Sequence, residues 1–208
     1  MRKLTLHIVI VLLALSCSHK ACARSWKWGE ICYGAEWGYT ATMFEWHHFN
    51  FLNPELMMID LKGTSFNYHS NAYVSAHVGL EFYDRISVCA HIGYEGIDKM
   101  RRAIPVSLRE NVYLKGYHYD GVFLFLEEGY YILNTYDTQP AVEIRLGSGY
   151  RFALAKHMNM DFMVSLHLSS DHPDTVIDQK TKKAVPDSYV NRSDATYTGI
   201  SFSAAINF

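Results

Sequence analysis

The chain has 208 residues, with 19 Lys and Arg against 21 Asp and Glu, so its charge is nearly balanced and no basic stripe points to nucleic acid. Abundant aromatic residues, scarce proline and a mean hydropathy near neutral exclude a bundle of membrane helices. They do not exclude a membrane barrel, because lipid-facing and lumen-facing residues alternate along each strand and cancel in any running average.

Arg2 and Lys3 precede an apolar run from Leu4 to Leu15, and Ala21-Cys22-Ala23 supplies a small-x-small cleavage pattern. This predicts a signal peptide over residues 1–23 for Sec-type export and one mature domain over 24–208. A second reading of Ala14-Leu15-Ser16-Cys17 would leave a lipidated Cys17. The apolar run is shorter than the ~20 residues that a helical span needs. After cleavage at Ala23 the remaining thiols are Cys32 and Cys89, on the inward faces of the first and third strands. With a strand between them, their Cα atoms are expected to lie beyond the ~7 Å disulfide limit, as two free packed thiols.

Strand one is predicted over 29–43, with Ile31, Tyr33, Ala35, Trp37, Tyr39, Ala41 and Met43 on one face and Cys32, Gly34, Glu36, Gly38 and Thr40 on the other. From Phe44 to Ser70 the alternation breaks, which predicts a long loop with room for a short hairpin. Ala72, Val74, Ala76, Val78, Leu80 and Phe82 then oppose Tyr73, Ser75, His77, Gly79 and Glu81. A turn at Asp84-Arg85 leads to a third strand with Ile86, Val88, Ala90, Ile92 and Tyr94 outward. Ile104, Val106 and Leu108 open strand four, where Pro105 belongs near the strand start or at a bulge. Strand five, 122–132, is apolar on both faces at first, so its register is open. Strand six sets Val142, Ile144, Leu146 and Tyr150 against Glu143, Arg145, Gly147 and Arg151. Strand seven sets Phe162, Val164, Leu166 and Leu168 against Asp161, Ser165, His167 and Ser169. A long polar stretch, 170–195, carries Lys180, Lys182 and Lys183, which in a solvated loop could meet anionic lipid heads. The last strand alternates Thr198, Ile200, Phe202, Ala204, Ile206 and Phe208 against Tyr197, Gly199, Ser201, Ser203, Ala205 and Asn207.

The even strand count puts both ends of the mature chain on one side, together with the short turns after strands two, four and six. Closure would remove both sheet edges and satisfy every backbone group. The charges decide which face is inside: Glu36, His77, Glu81, His91, Arg109, Glu143, Arg145, Arg151, Asp161 and His167 share faces with Gly and Ser, as a narrow paired lumen requires. Trp26, Trp28, Trp46, Phe49, Tyr83, Tyr94, Tyr113, Tyr130, Tyr131 and Phe208 fall near strand ends and are expected to form interfacial girdles. The expected fold is an all-β, eight-stranded antiparallel up-and-down transmembrane barrel with short periplasmic turns and longer extracellular loops. Its lumen would be filled by side chains. Apolar residues turned inward would instead make a soluble lipocalin-like ligand-binding barrel.

The final strand resembles the closing strand of bacterial outer-membrane barrels, whose terminal Phe, here Phe208, is read by the barrel assembly machinery. The whole mature chain resembles the small eight-stranded outer-membrane barrels of Gram-negative bacteria, porin-like and of the outer membrane protein A or X type, as in Bacteroidetes. That resemblance implies an integral protein of the cell outer membrane, monomeric, without enzyme activity, cofactor or metal. It would contact outer-membrane lipid and lipopolysaccharide and serve envelope structure or surface interaction through its loops. His167-Leu168-Ser169 also resembles the His-x-Ser of lipid A deacylases, which implies Ser169 as nucleophile, His167 as base and Asp194 as the orienting acid. Against it, His167 and Ser169 lie on the lumen face, away from any acyl chain. Adjacent His47 and His48 point to opposite faces of an extended segment and cannot chelate one ion.

Overall fold

The computed structural model describes residues 29–53, 57–96, 102–134, 141–155, 157–173, 176 and 184–208. The expected signal peptide over residues 1–23, together with Cys17, Trp26, Trp28 and Lys180 to Lys183, lies outside these residues. The strands are β1 (Glu30–Leu52), β2 (Met58–Phe82), β3 (Ile86–Gly96), β4 (Arg102–Tyr113), β5 (Gly121–Asn134), β6 (Ala141–Ala155), β7 (Met158–Asp171) and β8 (Val190–Asn207). Each pairs antiparallel with its neighbour in sequence, and β1 pairs with β8 from Gly34 opposite Asn207 to Phe51 opposite Val190. Beyond the last strand, Phe208 exchanges two backbone hydrogen bonds with Tyr33 and stacks on its ring at 5.7 Å.

The period-two sequence fixes what faces where. Ile92, Leu108, Leu124, Leu146, Val164, Leu166 and Phe202 stand exposed on the outer wall, while Glu36, Arg109, Glu127, Arg145, Arg151 and Asp161 are buried inside. A soluble barrel needs the reverse, since its exterior must meet water and its core must exclude it. Lipid is the solvent that suits an apolar wall closed around charged groups. The lipocalin-like alternative is therefore corrected.

Strand five is settled by the space beside it. Phe123 and Phe125 point inward and Leu124 and Leu126 outward, because β6 offers glycines where the rings need room: a Cβ at Gly149 would lie 2.5 Å from Phe123 Cζ. Pro105 lies near the start of β4, at a register shift next to Ile104, as a residue without an N–H requires.

The expected loop over 44–70 is corrected. β1 and β2 run on through it as one hairpin of 23 and 25 residues, with a register shift between Thr42 and Phe44 marking where the barrel wall ends. Because a tilted span uses roughly 9 to 11 residues, both strands project well beyond the membrane. β8 accompanies them to Val190, giving a three-stranded tongue. Phe51 is its anchor: fully buried, it packs with Val176 and Val185 of the β7–β8 connection, flanked by Phe49, Ile59 and Val190. Outside the wall, His48 Nε2 lies 2.7 Å from Asp60 Oδ1 and Lys62 follows at 3.1 Å. The hydrogen bond from His48, and then that from Lys62, hold the Asp60 carboxyl below its usual range.

The girdle is also corrected in part. Trp46, Tyr83, Tyr94, Tyr130 and Phe208 are exposed on the outer surface. Tyr113 and Tyr131 are buried in the lumen, because each falls on the inward register of its strand, and Phe49 belongs to the tongue.

The β2–β3 turn centres on Tyr83 and Asp84, one residue earlier than expected, with φ of 55° and 56° and an Arg85 N–H to Phe82 carbonyl bond of 3.1 Å. Two successive left-handed residues make the primed turn that matches strand twist. A tyrosine there is strained, so Tyr83→Gly is expected to raise stability by up to about 1 kcal/mol, measured as an upward shift of the urea midpoint in detergent.

Candidate functional site

Among the described residues the lumen holds three arginines, one on β4 and two on β6, and each pairs with at least one carboxylate from another strand. Arg109 sits at the centre: its Nη1 donates to Glu36 Oε2 at 2.6 Å, and its Nε and Nη2 donate to Glu127 Oε2 at 3.0 and 2.6 Å. Tyr73 donates its hydroxyl to the other oxygen of Glu36 at 2.7 Å, Ser107 donates to Glu127, and the Phe125 ring lies 4.8 Å under the guanidinium. Strands β1, β2, β4 and β5 are thus tied together across the interior.

Towards the tongue, Arg145 Nη2 donates to Glu95 and to Glu143 Oε2, the latter at 3.1 Å, above the Tyr73 ring at 4.4 Å. Tyr131 donates to Glu143 at 3.1 Å and Thr40 to Glu95 at 3.3 Å. Towards the tight turns, Arg151 forms a two-pronged pair with Asp161 at 2.7 and 2.6 Å and lies over the rings of Tyr117 and Tyr113. Asn207 donates to the same carboxylate at 2.9 Å, which ties the last strand into this cluster. With these three arginines nearly fully buried, their ion pairs fill the lumen.

His167 is buried between two of these carboxylates, Nδ1 3.8 Å from Glu95 Oε1 and Nε2 3.6 Å from Glu143 Oε2. Glu95, Glu143 and His167 form a donor set of the kind that holds a cation, and it closes on the guanidinium of Arg145. Ser169 is buried on the same strand face, opposite Glu143 and Tyr197 in the pairing. Asp194 is engaged elsewhere, 2.9 Å from His172 Nδ1 and 2.5 Å from Arg192 Nε. The structure brings His167 and Ser169 to one lumen face and leaves Asp194 on the tongue, so the three are not assembled as a triad. His47 stacks on Phe49, apart from the His48–Asp60 pair.

Two ion-pair members were not anticipated. Glu95 lies one step past the expected end of strand three, and extending the alternation from Gly93 would have found it. Glu127 lies on the strand with the open register, and its inward position follows once Phe123 and Phe125 are placed.

The thiols of Cys32 and Cys89 are both buried and free, yet their Sγ atoms lie 3.6 Å apart. Gly79 of β2 stands opposite both in register, so the two side chains meet across a position that has none. A Cβ there would sit 2.7 Å from Cys89 Sγ.

No family model matches the chain, and no curated protein matches it. Among solved structures, the chain is similar to the outer membrane protein OprG from Pseudomonas aeruginosa, at 11% identity over 86% of this chain and 97% of that one, with a TM-score of 0.46. The outer membrane protease OmpT from Escherichia coli matches at 5% identity over 89% of this chain and 98% of that one, with a TM-score of 0.40.

Proposed function

We propose that this chain is an integral, non-enzymatic barrel of the bacterial outer membrane, exported through the Sec route, with a plugged lumen and an external tongue that serves envelope structure or surface contact. The observation that carries the reading is the filled interior beneath an apolar wall. Arg109, Arg145 and Arg151, each paired with at least one carboxylate from another strand, occupy the space through which a solute would pass. Eight strands leave an interior only wide enough for side chains. Among the described residues the tongue is the largest element outside the wall, and its own apolar anchor around Phe51 gives it a fixed shape to present.

Boiled and unboiled outer-membrane extracts, compared on a gel, test the placement: the unboiled chain is expected to run as a compact band that shifts on heating. Reconstituted into planar bilayers, the protein is expected to give no steady conductance. A stable open-channel current would sink the plugged-lumen reading.

A further inference from the structure

We propose that Cys32 and Cys89 form a binding site for a thiophilic d10 cation of the zinc, cadmium or copper(I) class inside the lumen. The first support is the spacing. Thiolates bind zinc at about 2.3 Å, and two sulfurs 3.6 Å apart would subtend about 100° at such an ion, close to the tetrahedral angle. A disulfide fits the backbone less well. β1 and β3 are separated by β2, and two strand spacings of about 4.8 Å exceed the ~7 Å Cα limit of a bridge without backbone movement. The thiols stand at a spacing that a bridging ion spans, while a disulfide would have to draw the sulfurs closer.

The second support is what surrounds them. Cys89 lines a small cavity with His77, His91 and Tyr117, with room for about one water. His77 Nδ1, His91 Nδ1 and the Tyr117 hydroxyl are buried without a hydrogen-bond partner among the described residues, and each of these side chains is more than nine-tenths buried. The imidazoles stack at 4.7 Å between centroids, and His77 is held through Nε2 by Asn207 at 2.9 Å, which leaves its Nδ1 uncommitted. Unpaired donors in a water-sized space are costly unless something completes them. A cation on the two thiolates, with water in this cavity as a further ligand, gives that space an occupant.

The third support is a route. Glu30, Glu81 and His118 gather at the tight-turn mouth, with Glu30 and His118 exposed, and their ligating atoms lie within 4.8 Å of one another. In register, Glu30 and Glu81 are one inward-facing step out from Cys32 and Gly79, and His77 and His91 are one step further in. Carboxylates, thiols and imidazoles therefore succeed one another along one side of the lumen. Each thiol gives up its proton as the metal–sulfur bond forms, so one ion displaces two protons and binding tightens as pH rises.

The test is a cadmium titration of the mature chain, residues 24–208, whose only cysteines are Cys32 and Cys89, refolded in detergent, reading the ultraviolet thiolate-to-cadmium charge-transfer band together with proton release. One equivalent of cadmium is expected to saturate the band and release two protons. C32S and C89S, each checked for the heat-dependent gel shift, are expected to lose the band, as is wild-type protein alkylated at its thiols. Cadmium bound at the mouth carboxylates alone gives no thiolate band. The proposal is overturned if the folded wild type shows no band while both thiols titrate as free after unfolding, or if chain extracted from membranes carries a Cys32–Cys89 disulfide.

Discussion

Arg109→Met is expected to cost the folded barrel about 3–5 kcal/mol, the penalty of leaving partner charges buried and unpaired. The arginine is 4% exposed and is the direct partner of both Glu36 and Glu127, themselves at 0% and 3%. Removing it leaves two carboxylates facing one another in a narrow interior, with Tyr73 and Ser107 as their remaining donors. The loss should appear as a lower urea midpoint for the detergent-refolded protein. Adding Glu36→Gln and Glu127→Gln to the same chain removes the unpaired charge and is expected to restore most of it. A loss below about 1 kcal/mol, the worth of a solvated surface pair, would mean that water reaches the lumen charges.

The second large effect tests the outer wall. Leu166 is exposed near the middle of β7, between Leu146 and Ile200 on the flanking strands. Leu166→Arg is expected to destabilise the lipid-inserted barrel by about 2–4 kcal/mol, the range for an arginine at the bilayer midplane. Thr64→Arg, on the tongue beyond the wall, is expected to change stability by less than about 1 kcal/mol. Equal effects at the two sites would contradict the membrane band. Equilibrium unfolding in lipid vesicles, with both variants side by side, provides the comparison.

The lumen was legible in the sequence wherever a strand alternates cleanly. Glu36, Glu143, Arg145, Arg151, Asp161 and His167 each sit between apolar neighbours at period two, and each is buried inside. Glu127 was not legible, because Phe123 and Phe125 make both faces of β5 apolar and only the glycines of β6 decide between them. The tongue was hidden for a related reason. Above the membrane a strand has water or a small local core on its faces, so the residues from Phe44 to Ser70 lose the alternation while keeping the ladder of paired backbone. The Cys32–Cys89 contact was hidden because it depends on curvature: residues two strands apart diverge on a flat sheet and converge inside a small barrel, and Gly79 leaves the space between them empty.

The tongue has a consequence for biogenesis. Its anchor Phe51 comes from the first strand, while Val176, Val185 and Val190 come from the stretch leading into the last, so the two halves of this small core lie at opposite ends of the chain. They are brought together by the β1–β8 seam, the pairing that completes the ring. An external epitope made of both halves therefore exists only on molecules that have finished closing. With the tongue outward, as proposed above, a conformation-specific antibody against it would count completed barrels on living cells, and a stalled or unzipped chain would stay invisible to that antibody however much of it the envelope contained.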